Sequence, residues 1–455
     1  MHASLLALAL TAAAPPPAVE ARPLTVDDCV AMAIRDSGQV MEAEAKVAEW
    51  KARLAEVESI FYPKLSAIAF AAPMFTVRGN ALTTEVERRW RSPGDWGPYL
   101  RLEALLAQPV YTFGRAAAGE KAAQERLAVE QARLAAARNA VALEARKFYY
   151  LHLYAKSLRP GLNAARKMLD SALEKASALY ETASGKVTNV DLMKLTYASS
   201  ELDKYLIQAE VGEGLALAAL KHTMGAAEAA PLLLADDSLP GAGDEPPELD
   251  ALLRIALEKR PEFAQIKHGK QAALALEKAE RRANFPVVAI AGQFQASWTP
   301  TRDDTNNPYH VDPYNDLFGG VALALQFDLD PALAKAKGDG ARAMGEQVAG
   351  LEKLATTGIP LEVRKAREDE MQARRMLELS QKGSVATRKW MIFAGAAYSS
   401  GTGETKDLLE GVAAHMQAKK GYYDSLLAVH TARAELLRAT GEIESVRLVT
   451  VAREP

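Results

Sequence analysis

The chain has 455 residues, enough for two or three ordinary domains, and 49% of them are hydrophobic. Only 7% are aromatic while alanine is abundant throughout, a balance that favours long helices packed side by side over a thick core. A net charge of −3 with both signs interspersed excludes a nucleic-acid footprint, and a lone cysteine, Cys29, excludes an intramolecular disulfide and any multi-cysteine metal site.

Ser4 to Ala14 is an apolar run of signal-peptide length, followed by Pro15-Pro16-Pro17 and the small-x-small pattern Val19-Glu20-Ala21. Residues 1–21 are expected to be a cleaved secretory signal. Cys29 lies in D-D-C without small apolar residues before it, which argues against a lipoprotein anchor. No later run reaches the 18 apolar residues of a transmembrane helix, so an exported chain of this kind is either soluble or a β-barrel.

Thr25 is a fitting N-cap for a helix that opens with Asp27 and Asp28. The helical pattern breaks near Ser37-Gly38 and stops at Phe61-Tyr62-Pro63, because proline lacks an N–H and biases its predecessor away from helix. The same block returns from Glu248 to Pro286, with Asp250 matching Asp27, Ala256 matching Ala33, a break at Arg260-Pro261 and a stop at Asn284-Phe285-Pro286. The offset is constant (286 − 63 = 223), which marks an internal duplication with a period far too long for a solenoid.

After each stop the apolar period changes from about 3.6 to about 2. Val288, Ile290, Phe294, Ala296 and Trp298 alternate with Gln293, Gln295 and Ser297. Leu317, Val321, Leu323, Leu325 and Phe327 share one face of a segment ending at Asp328. From Tyr99 to Gln108, Leu100, Leu102 and Leu106 oppose Arg101, Glu103 and Gln108. Leu65 to Ala72 alternates poorly and is a strand by repeat position only. Each segment is near the ten residues a tilted strand needs to cross a bilayer, with one lipid face and one wet face. A water-soluble pair of hairpins is the alternative reading. Trp90, Trp96, Trp298, Tyr309 and Tyr314 fall where an interfacial aromatic belt would sit. Four strands cannot close a barrel, so spanning strands require oligomerisation; three copies would supply twelve.

Two very long helical stretches follow, about Phe113 to Ala183 and about Pro331 to Ala397. Leu127, Leu134, Val141 and Phe148 recur at sevens, the spacing of a coiled-coil seam. Pro160-Gly161 is expected to kink the first stretch, and Gly358-Ile359-Pro360 to bend or break the second. Each ends in a glycine-bearing turn, A-S-G-K-V-T-N-V-D-L-M-K from Ala183 and Y-S-S-G-T-G-E-T-K-D-L-L-E from Tyr398. Gly185 maps to Gly401, Asp191 to Asp407 and Gly225 to Gly441 by one shift (401 − 185 = 216). The expected plan is a first repeat over 22–230, a linker over 231–247, a second repeat over 248–441 and a tail over 442–455. Asp407 and Glu410, three residues apart in a helix's first turn, share a face and suit its dipole. They are either a pore lining or plain helix capping.

The order and duplication of L-T-V-D-D-C-V-A-M-A-I, F-Y-P, P-V-Y-T-F-G-R (Pro109 to Arg115) and Y-x-x-G-T…D-L-L-E resemble the TolC-like outer-membrane efflux protein family. The resemblance covers about Leu24 to Gly441. It implies a mainly α fold in which duplicated long helical hairpins form a trimeric α-barrel, and four strands per chain enter a 12-stranded transmembrane β-barrel. It further implies a homotrimer in outer-membrane lipid, opened by a periplasmic adaptor (membrane fusion) protein and served by an inner-membrane transporter of RND, ABC or MFS type. Carried over by position, Asp407 and Glu410 would be the acidic rings of the gate, Asp191 and Tyr398 part of the tip latch, and Gly185, Gly401 and Gly403 the tip turns. The family's latch arginine is Gly403 here, the second ring acid is Glu410 rather than Asp, and F-D-L-D-P-A-L-A-K-A-K replaces the P-x-x-x-G-R exit of the first half.

His152, His222, His268, His310, His415 and His430 are scattered without metal-ligand spacing, and no phosphate loop or nucleophile elbow is present. No enzymatic activity and no cofactor are expected. A trimeric outer-membrane duct is the leading reading, a periplasmic helical adaptor or scaffold the second, and a helical hydrolase a third without a supporting site.

Overall fold

A computed structural model describes residues 23–79, 85–182, 187–304, 309 and 311–444. The expected signal at 1–21, Gly185 and most of the tail lie outside them.

The duplication is visible in the elements. The first half runs α1 (Val26–Asp36), α2 (Gly38–Glu58), β1 (Lys64–Arg78), a short β2 (Glu87–Arg89), β3 (Trp96–Tyr111), α3 (Arg115–Glu181) and α4 (Asn189–Thr223). The second runs α5 (Leu249–Lys259), α6 (Pro261–Arg281), β4 (Val287–Trp298), β5 (Asp316–Gln326), α7 (Pro331–Ser399) and α8 (Thr405–Thr440). The paired helices have 11 and 11, 21 and 21, 67 and 69, and 35 and 36 residues. The expected break at Pro360 does not occur, and α7 continues through it, as α3 does through Pro160. A proline removes one hydrogen bond from a long ladder, and Ile359 and Val363, at 4% and 0% exposure, hold the backbone there by packing.

The chain forms two compact units. One comprises Met41–Ala137 and Leu257–Leu361 and holds an antiparallel sheet of order β2-β1-β3-β4-β5. The register aligns Leu106 with Leu65 on one side and Gly292 on the other, and Gly292 with Val321. In the same unit, Gly269 of α6 faces Val348 of α7 and Val129 of α3, 3.5 and 3.9 Å from the point a Cβ would occupy, ordinary contact distances. His268 meets Glu125 at 2.7 Å and Lys270 meets Glu352 at 2.7 Å.

The other unit comprises Met1–Val40, Arg138–Ala256 and Glu362–Pro455. Thr25 and Asp28 form a capping box at α1, which places Cys29, Val30 and Ala33 in the core. Burial pushes the Cys29 thiol up to about 12. Arg146 of α3 reaches Asp27 at 2.8 Å. At the end of α4, Gly225 has φ 65°, and a Cβ there would stand 2.4 Å from the Asp36 carbonyl oxygen. That position requires glycine twice over.

The stretch 231–247, expected as a linker, is pinned along its length. Leu234 pairs with Leu24, Asp236 accepts from the Tyr149 hydroxyl at 2.7 Å, and the Leu239 amide donates to Ser157 at 2.9 Å. The carbonyls of Ala242 and Gly243 accept from Arg374, each at 3.0 Å, and that of Asp244 from Arg374 and from Arg433. Arg374 also holds Glu370 at 2.8 Å, a carboxylate with 0% exposure.

Candidate functional site

Within the helical unit, the second turn is built by the end of α7. The amides of Thr402 and Gly403 both donate to the Ala397 carbonyl, at 3.0 and 2.9 Å, and Gly401 adopts φ 77°. This closes the helix in the left-handed manner typical of a glycine stop. A Cβ on Gly403 would stand 2.9 Å from both the Ala397 Cβ and the Tyr398 nitrogen. The residue that replaces the expected arginine is thus one the turn itself demands.

Glu404 then caps α8 by backbone geometry alone, φ −89° and ψ 152°, with no side-chain cap bond. Asp407 and Glu410 both lie exposed, while Leu408 between them is 1% exposed. The two acids therefore share the face opposite the core. Lys406, a residue the sequence reading passed over, stands 3.8 Å from Glu410 across one helical turn, with both side chains more than half exposed. A pair so exposed is weak and screened, so it tempers the acidic face without cancelling it.

The first turn is centred on residues 183–186, outside the described set, but its exit is defined. Thr188 and Asp191 form a capping box: the Thr188 amide and hydroxyl donate to Asp191 at 3.0 and 2.7 Å. Those donors hold the Asp191 carboxyl below the usual range. Asp191 is thus engaged in its own helix. The Tyr398 hydroxyl donates to the Ala172 carbonyl at 3.4 Å, and burial, with the Asp191 charge adding to it, pushes that phenol up. What joins the hairpins is mostly apolar: Ala165, Leu169, Ala172 and Ala176 of α3, Leu195 and Leu202 of α4, and Leu408 and Val412 of α8 form one buried cluster. Sequence reading missed this cluster because its members are small and scattered over three helices. The spacing Leu195–Leu202 and Ala165–Ala172 at sevens is the signal that would have found it.

The sheet unit presents a second candidate surface. Following the register, one face carries Leu65, Ala67, Ala69 and Ala71 of β1, then Leu100, Leu102, Ala104 and Leu106 of β3. It continues with Ile290, Gly292, Phe294, Ala296 and Trp298 of β4, and with Leu317, Val321 and Leu323 of β5. Leu65, Val321 and Leu323 are 71%, 77% and 71% exposed, so no described residue covers them. Arg101, Glu103, Gln293, Gln295 and Ser297 occupy the other face, where Arg101 pairs with Glu103 and donates to Gln295 at 3.4 Å. Gln108 pairs with Ile290 and so sits on the apolar side, a correction to its expected place beside Arg101 and Glu103. Its amide nitrogen donates to the Phe61 and Pro109 carbonyls, each at 2.9 Å. Ile68 and Phe70 lie opposite Glu103 and Arg101, which is why β1 alternates poorly. Among the described residues no strand pairs with the outer edge of β5, or with that of β1 before Thr76. Trp96, Trp298, Tyr99 and Tyr314 gather at one end of the sheet, the Trp96 indole donating to the Trp90 carbonyl at 3.2 Å and Tyr99 packing edge-on to Tyr314.

Solved structures with this arrangement exist. The outer-membrane channel OprN aligns over 92% of this chain and 90% of its own, with TM-score 0.74 at 14% identity. The CmeC outer membrane channel of Campylobacter jejuni aligns over 92% and 85%, with TM-score 0.72 at 13% identity. The outer membrane protein VceC of Vibrio cholerae aligns over 91% and 96%, with TM-score 0.71 at 14% identity. The chain has the fold of these outer-membrane channels. No protein-family model matches the sequence, and no curated protein does. At such identities the likeness establishes architecture and leaves the acidic turn to be judged on its own geometry.

No helix among the described residues is long and apolar enough to cross a membrane, and no group of three or more potential metal-ligating side chains occurs among them.

Proposed function

We propose that the protein is an outer-membrane exit duct, a passive trimeric channel-tunnel of a tripartite efflux pump or type I secretion system. The observation that carries this reading is the apolar sheet face, exposed on β1, β3, β4 and β5, together with the outer edge of β5 and that of β1 before Thr76, which lack partners among the described residues. In water such a face and such edges invite aggregation. In lipid the face is satisfied, and the edges must be paired with other copies, because each unsatisfied backbone group costs several kcal/mol there. Three copies give twelve long strands, four from each chain: β1, β3, β4 and β5. On this reading 1–21 is an export signal, 22–230 and 248–441 are the two repeats, and a periplasmic adaptor opens the tip and links it to an inner-membrane transporter.

Asp407 and Glu410 would form the acidic lining of the mouth, three copies of each converging on one axis to favour cations over anions. Tyr398 would hold the closed tip through the Ala172 carbonyl and the apolar cluster, with Asp191 acting through its charge on Tyr398.

Membrane fractionation tests the duct directly. Release only by detergent is the expected result, and release by osmotic shock would instead favour the periplasmic adaptor or scaffold. For the mouth, Asp407→Asn with Glu410→Asn is expected to lower cation selectivity and divalent block severalfold in planar bilayers. Unchanged selectivity would reduce the two acids to helix capping.

A further inference from the structure

Within the helical unit, the stretch 231–247 works as a strap between the two long hairpins. Its first half is held by α3. Tyr149 donates to Asp236 at 2.7 Å, Lys156 meets Asp237 at 3.0 Å, and the Leu239 amide donates to Ser157 at 2.9 Å. Its second half is held by α7 and α8. Arg374 reaches the Ala242 and Gly243 carbonyls, Arg433 that of Asp244 at 2.6 Å, and Arg367 that of Pro247 at 3.1 Å. Of residues 231–247 only Leu239 is buried, so little apolar area holds the strap down. A segment attached mainly by polar contacts opens more readily than the core beneath it.

Where the two halves of the strap meet stands His430 of α8, 8% exposed. Its Nε2 lies 2.8 Å from the Pro240 carbonyl, and its ring stacks on Tyr150 of α3 with centroids 4.3 Å apart. A carbonyl only accepts, so Nε2 carries the hydrogen, and in the neutral ring Nδ1 carries none. One side chain of α8 thus touches both the strap and α3. Around it, α7 contributes Arg374, α8 Arg433 and the strap Asp236. Glu370 pairs with Arg374 and stands 3.8 Å from Arg433, Tyr149 holds Asp236, and Arg146 with its partner Asp27 acts on the stacked Tyr150.

Burial, together with the Arg433 and Arg374 guanidiniums, pushes His430 below the ordinary histidine range, against the Pro240 carbonyl and Asp236, which favour its charged form. Lifting Leu239 and Pro240 away returns the ring to water, where its ordinary pKa is about 6.5. The strapped form therefore binds fewer protons than the released form. The support that neutral His430 gives the strap is complete above about pH 6.5 and is lost as pH falls from there through the depressed value. Each unit between the two values changes the released-to-strapped ratio about tenfold.

We propose that His430 is an acid-sensitive catch: neutral, it keeps the strap across α3, α7 and α8, and protonated, it lets the strap go and uncouples the two hairpins. Hydrogen exchange of the full-length chain in detergent tests this at about pH 8 and about pH 5.5, on either side of the ordinary histidine value. Each peptide's rate is divided by its intrinsic rate at that pH. Peptides over 237–246, where the Leu239 amide reports on the strap, should exchange at least threefold faster in acid than α1 does, a helix without histidine. A smaller difference overturns the proposal, and so does equal acceleration of both, which would be general loosening. His430→Gln keeps a donor for the Pro240 carbonyl but cannot titrate, and should abolish the difference. His415→Gln, at a second buried histidine, should leave it intact. A difference that survives the first substitution or vanishes with the second contradicts the assignment. Should His430→Gln already release the strap at about pH 8, the wild-type comparison with α1 and the His415→Gln result still decide.

Discussion

At Gly403 the absent side chain and the backbone geometry are one fact: a Cβ would clash with Ala397 and Tyr398, and the Gly403 amide closes the turn on the Ala397 carbonyl. If an arginine tether were merely missing, Gly403→Arg would tighten the tip. We expect the opposite, because the substitution displaces a backbone hydrogen bond of about 1 kcal/mol and adds steric strain. Amide hydrogen exchange at 401–404 should accelerate roughly tenfold, each 1.4 kcal/mol being a factor of ten; slower exchange would restore the tether reading. The acids of the turn were legible in the sequence, since D-L-L-E places two carboxylates on either side of a leucine pair. The reason for Gly403 was not, because it depends on how closely the chain returns past Ala397.

Among the elements, the long helices and their partners could be read from duplication, periodicity and caps. Thr25, Ser37-Gly38, Arg260-Pro261 and Gly441 all mark the boundaries their chemistry implies. The stretch 231–247, expected as a linker, has contacts that its sequence does not announce. Its proline and glycine content says only that it is neither helix nor strand; the carbonyls that receive Arg374 and Arg433 are invisible in side-chain identities. These arginines make the segment a strap on α7 and α8, with Glu370 buried beneath it. Removing one partner of a buried ion pair costs up to about 3–5 kcal/mol, and here Arg433, 3.8 Å from Glu370, would remain as the one weaker partner. Arg374→Ala should therefore lower stability by that order in chemical denaturation, and adding Glu370→Met should recover most of the loss. A double variant no better than the single one would show that the carbonyl contacts, and not the carboxylate, carry the effect. The strand register could not be read either. Side-chain alternation placed Leu100 and Leu102 correctly and misplaced Gln108, whose amide finds backbone carbonyls that no periodicity encodes.

For the molecule as a whole, each unit leaves something incomplete in a single chain. Among the described residues the sheet has an uncovered apolar face and two edges without full partners; the long helices expose Tyr197, Ile207 and Leu215 on α4 and Leu379, Trp390 and Phe393 on α7. On the proposed duct reading its stability would be tied to assembly, since the same surfaces that are unfavourable in the monomer would become interior in a closed ring. Closed rings follow naturally from a head-to-tail use of two different edges, the outer edge of β5 meeting that of β1 in the next copy. Lipid would then replace water on the remaining face. The mass of the detergent-extracted particle measures this most directly, by light scattering with the detergent contribution subtracted. We expect three copies of the 49.1 kDa chain, about 147 kDa less any removed leader. A monodisperse single chain, with four strands and open edges left in detergent, would contradict the account.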